Sequence, residues 1–61
     1  MFSVYFYVGE NFIVNGTMQY LPRQGEKIKL NGKLYKVIDV VYLIEQRTFS
    51  TIEVVIRLEK F

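Results

Sequence analysis

The chain has 61 residues, no cysteine, no histidine and a net charge of +2. This excludes disulfides, metal sites built on His or Cys, and every nucleophile system that needs a histidine base or a thiol. What remains is one small domain over residues 1–61, whose core is marginal enough for self-association to be the expected supplement.

Residues 1 to 8 alternate, with Phe2, Val4, Phe6 and Val8 on one side and Met1, Ser3, Tyr5 and Tyr7 on the other, the period-2 pattern of a strand. The second face is aromatic where a solvated face would be charged. Gly9-Glu10-Asn11 offers a tight turn into Phe12-Ile13-Val14. Asn15-Gly16 has the chemistry of a type I′ turn, whose two central residues need positive φ. The sequence therefore predicts a turn there, a return strand over Thr17 to Leu21, and an end at Pro22, which lacks a ladder donor.

From Glu26 the alternation turns Ile28 and Leu30 inward and Lys27 and Lys29 outward. Asn31-Gly32 then reverses the chain into Lys33 to Ile44. Tyr35 and Val37 share the core face of that long strand. After Asp39 the run Val40-Val41-Tyr42-Leu43-Ile44 is apolar on both sides, so either a bulge near Ile38-Asp39 switches the register or both faces are covered. Glu45 to Thr48 reads as a polar connection. Phe49 to Phe61 supplies the last strand, with Ile52, Val54, Ile56 and Leu58 inward and Glu53, Val55, Arg57 and Glu59 outward.

No helical periodicity or repeat interrupts this pattern. The predicted fold is all-β: about five antiparallel strands in a meander that forms a small SH3-like or OB-like barrel or a strongly twisted sheet. Closure with so few strands is incomplete, so an open edge is expected to pair with another subunit.

Charge is local. Residues 22 to 36 hold Arg23, Lys27, Lys29, Lys33 and Lys36 against Glu26, a net +4, which leaves −2 elsewhere. Arg23 offers the planar bidentate contact to phosphate that lysine lacks. The lysines also fit a solvated strand face that discourages edge aggregation, and the patch is too local to favour nucleic acid as the partner. Tyr5 and Tyr7 suit a subunit interface, ring stacking on a ligand or burial under a second layer. The expected ligand residues are Arg23, Lys27, Lys29, Tyr5 and Tyr7, and the expected oligomer interface is Tyr5, Tyr7, Tyr42 and Val55. Glu53 and Glu59 read as solvated surface, and no residue set has the chemistry of a reaction.

The motif Pro22-Arg23-x-Gly25-Glu26-x-Ile28-x-Leu30-x-Gly32-x-x-Tyr35-x-Val37-x-x-Val40 resembles a recurring pattern of very small β-proteins encoded by tailed phages of Gram-positive bacteria. The resemblance spans residues 20 to 42. Such proteins include ring-forming ones proposed as tail-assembly chaperones and others that act against bacterial immunity. The resemblance implies a non-enzymatic homo-oligomer, without metal or cofactor, working in the cytoplasm of an infected bacterium. Two roles follow from it as expectations, and the basic hairpin adds a third. The first is an anti-defence factor that sequesters a small anionic nucleotide signal between subunits; the others are an assembly chaperone that covers a virion protein by strand addition and a nucleic-acid-binding barrel. No apolar run reaches the roughly 18 residues of a membrane span, and the amino terminus lacks the basic region of a signal peptide.

Overall fold

The computed structural model describes residues 2–44 and 52–61. Five strands form one sheet: β1 (Phe2–Val8), β2 (Asn11–Met18), β3 (Lys27–Leu30), β4 (Lys33–Leu43) and β5 (Ile52–Lys60). Their spatial order is β2-β1-β5-β4-β3, and the sheet curls into a half-barrel. Among the described residues no helix is long and apolar enough to cross a membrane. The expected connection at 45–48 and the start of the last strand at 49 lie outside the described residues.

Strand position follows composition. β1 carries no charge and sits inside the sheet, whereas the lysine-bearing β3 is an outer strand. Hairpins join β1 to β2 and β3 to β4, and β4 pairs antiparallel with β5. β1 and β5 run parallel, with Val4 beside Val54 and Phe6 beside Ile56. The sheet is thus mixed, not an antiparallel meander throughout, because the end of the chain returns alongside its beginning.

Asn15-Gly16 does not turn. Both residues lie within β2, opposite Tyr5 and Val4, and neither has positive φ. The reversal occurs at Gly9-Glu10 instead, where Gly9 has φ of 61°. Once the chain turns there, the full length of β1 needs a partner, and β2 provides it only by running straight through to Met18. The expected separate strand over Thr17 to Leu21 is absent for the same reason. Asn31-Gly32 does form its hairpin, with φ of 50° and 80° as a type I′ turn requires.

The core occupies the concave side. Val4, Phe6, Tyr35, Val37, Val54, Ile56 and Leu58 are buried there, as the alternation of β1, β4 and β5 predicts. Ile28, Leu30, Val40 and Leu21 pack around them. The register of β4 against β5 shifts between Val37 and Asp39, which leaves Ile38 as the extra residue of a bulge. Its effect is to carry Val40 and Tyr42 onto the core face, opposite Ile56 and Val54.

Candidate ligand cleft

The site begins with the turn that follows Pro22. The Glu26 N–H donates to the Arg23 carbonyl at 3.0 Å, and Gly25, third in the turn, has φ of 90°. This is the pattern of a type II turn, where the third position needs positive φ. The Glu26 carboxylate also accepts a hydrogen bond from the Arg23 N–H. Two further bonds fasten the turn to β4. The Gly25 N–H donates to the Val37 carbonyl, and the Val37 N–H donates to the Glu26 carbonyl, each at 2.8 Å. Gly25 and Glu26 together oppose the single residue Val37, as in a glycine-initiated bulge.

The Pro22-Arg23-x-Gly25-Glu26 motif is therefore first a structural joint. Backbone groups of Arg23 build the turn, which leaves its guanidinium outside the joint's hydrogen bonding. The Arg23 side chain is exposed and lines a cleft of 430 Å³ together with Phe2, Tyr20, Leu21, Val40 and Tyr42. Gln19, Pro22 and Gln24 complete the lining. The Phe2 and Tyr42 rings meet edge to face at 6.2 Å between centroids, which fixes one wall. Tyr20 is 84% exposed and projects from the connection between β2 and β3.

A second cleft, of 520 Å³, adjoins the first through Tyr20, Leu21 and Pro22. It lies between the two outer strands. Phe6, Val14, Met18, Ile28 and Leu30 make it apolar, and Lys29 stands at its border.

The structure divides the expected ligand residues into three places. Arg23 is in the cleft. Tyr5 and Tyr7 are on the opposite, outer face of the sheet, because their register partners Val55 and Arg57 alternate with the buried Val54, Ile56 and Leu58. Lys27 and Lys29 are also directed outward, beside Lys36 and Leu34 on the far outer strand. The Lys27 ammonium lies 4.9 Å from the centroid of the Phe61 ring, a cation–π contact. The aromatic neighbours of Arg23 are Tyr20 and Tyr42 instead. Tyr20 is adjacent to the Pro-Arg motif in sequence, and Tyr42 reaches the cleft because of the Ile38 bulge.

Three of the four expected interface residues stay together. Tyr5 and Val55 are neighbours in a row across the sheet with Asn15 and Val41, while Tyr7 lies in the next row with Phe12, Arg57 and Asp39. The Tyr7 and Phe12 rings meet edge to face at 5.5 Å. Tyr42 belongs to the other side of the sheet. No family model, no curated protein and no solved structure matches this chain.

Proposed function

We propose that this protein acts by binding, without catalysis, and that its ligand is a small anion carrying a flat ring, of the nucleotide class. The observation that carries the proposal is the convergence of Arg23, Tyr20, Tyr42 and Phe2 on one cleft of 430 Å³. That volume falls within the roughly 300–1,000 Å³ of small-molecule sites. A guanidinium presents a fork that matches phosphate oxygens, and aromatic rings offer faces on which a base stacks. The remaining polar side chains of the lining, Gln19 and Gln24, donate and accept hydrogen bonds but neither take up nor release protons near neutral pH. Such a lining favours holding a ligand over transforming it.

The cleft opens to solvent, so a second subunit set against it would enclose the ligand. Self-association into a ring, with Tyr5, Tyr7 and Val55 at a contact, fits this need and the small core. In the phage setting that the Pro-Arg-x-Gly-Glu resemblance implies, the ligand is a nucleotide signal of host defence and the effect is its sequestration. A panel of cyclic and linear nucleotides tests the proposal by thermal melting: binders raise the melting temperature, and Arg23→Ala removes the rise while the unliganded protein melts as before. No rise across the panel overturns it.

A second role is favoured by a different observation, the apolar cleft between outer strands β2 and β3. An extended segment of a virion protein fits there by strand addition, the mode in which backbone pairing gives affinity and alternate side chains fill pockets. A virion protein that co-purifies from infected cells supports that role. A nucleic-acid role has less behind it, since neither Lys27 nor Lys29 lines the Arg23 cleft.

A further inference from the structure

We infer that β2 is a self-pairing edge, through which two copies of this chain join antiparallel about a two-fold axis at Gly16. The inference rests on the self-association part of the proposal above and is independent of the ligand.

The two outer strands differ in the features that keep edges from pairing. Proteins blunt such edges with lysines, short strands and bulges. β3 has only 4 residues, two of them lysines. An antiparallel pair of β3 strands centred on Ile28 would set Lys27 against Lys29 of the partner, twice over, and like charges directly opposite each other are destabilising. β2 has 8 residues and no charge. Its one irregularity lies near its start, where the register against β1 skips Ile13 between Phe12 and Val14. From Val14 to Met18 the strand is regular, uncharged and at the edge of the sheet.

The midpoint of that stretch is Gly16. Its φ lies outside the left-handed region, and a Cβ built there would meet nothing within 4 Å. Neither positive φ nor a clash within the subunit requires glycine at this position, which also borders the apolar cleft between the outer strands. A glycine inside a strand often marks the close approach of another backbone. Centring a two-fold axis on Gly16 sets Val14 against Met18 of the partner on the core side, two half-buried apolar residues that extend the concave floor. On the outer side it sets Asn15 against Thr17 of the partner, two exposed polar residues without charge. Every facing pair is compatible, and the two sheets become one continuous ten-stranded sheet. The paired unit is closed, and the Tyr5, Tyr7 and Val55 face remains free for a larger ring.

The register makes a charge test possible at residues outside the core. Asn15→Lys combined with Thr17→Lys places like charges in both outer pairs. Pairing is then weakened roughly 25-fold, taking about fivefold for each of the two pairs. Asn15→Lys combined with Thr17→Glu places opposite charges in the same pairs, and association is retained or strengthened. Sedimentation equilibrium from micromolar to near-millimolar protein reads the dimer constant, and circular dichroism checks that each variant is folded. The expected result is a dimer constant weaker by that factor for the double lysine variant than for the wild type, and one equal to or tighter than the wild type's for the lysine-glutamate variant. A wild type that stays monomeric overturns both the inference and the self-association proposal. An oligomer indifferent to both double variants overturns the edge pairing alone and leaves the outer face as the contact.

Discussion

The Gly25 N–H donates to the Val37 carbonyl at 2.8 Å, and this bond ties the only turn containing Arg23 to the strand that carries the core residue Val37. One residue beyond Val37 stands the bulge at Ile38, which sends Tyr42 to the concave side. The position of Arg23 and that of Tyr42 beside it thus depend on a few adjacent backbone bonds. Fold and cleft are coupled at this joint.

Gly25 should not tolerate a side chain, though space is free around it. With φ of 90°, an alanine there pays the left-handed penalty of about 1–2 kcal/mol. At dilute protein Gly16→Ala, also in open space but without positive φ, should be neutral or stabilising by about 0.4–1 kcal/mol. Urea denaturation of the two variants separates the effects. Equal losses would mean that the turn geometry is not what fixes Gly25.

Glu26→Ala removes the carboxylate that accepts the Arg23 N–H. Because the site is exposed, the loss should be about 1 kcal/mol, the size of a typical net hydrogen bond. Glu26→Gln keeps an acceptor oxygen and should recover most of it. Denaturant midpoints at constant slope measure both.

The bulge gives a sharper contrast. Ile38 is 42% exposed, so Ile38→Ala should cost about 1 kcal/mol or less in line with partial burial. Deleting Ile38, the residue without a partner on β5, leaves Val37, Asp39, Val40, Val41 and Tyr42 in strict alternation opposite Leu58 to Val54, so the core face is kept and cooperative unfolding should persist. Loss of cooperative unfolding in the deletion variant would contradict the assignment of Ile38 as the bulged residue.

Much of the fold was legible in the alternation. Phe6, Val54, Ile56 and Leu58 read as core because each lies on the apolar parity of a strand, and Asn31-Gly32 read as a hairpin because alternation runs up to it on one side and resumes on the other. Asn15-Gly16 carries the same local signal and means something else. Its conformation is decided by β1, whose length demands a partner beyond Val14, and no local rule contains that demand. The parallel β1–β5 pairing is likewise a contact between distant parts of the chain. The cleft was half legible: Arg23 stands out by its chemistry, whereas Tyr42 could be placed on the same side only once the bulge was located.

Core stability is concentrated in few residues. Ile56 is fully buried between Phe6 and Val40, and Ile56→Ala should cost about 2–5 kcal/mol. A domain of this size has a total of only about 3–9 kcal/mol at 0.05–0.15 kcal/mol per residue. The variant should therefore be partly unfolded at 25 °C, which near-native dispersion in its proton NMR spectrum would contradict.

The most direct test of the binding site is an amide NMR titration of the wild type with a nucleotide identified by thermal melting. Binding at the Arg23 cleft shifts the signals of Phe2, Tyr20, Arg23, Gln24 and Tyr42, and Arg23→Ala abolishes the shifts. Shifts confined to the outer face, or a titration unchanged by Arg23→Ala, would contradict the assignment of this cleft as the ligand site.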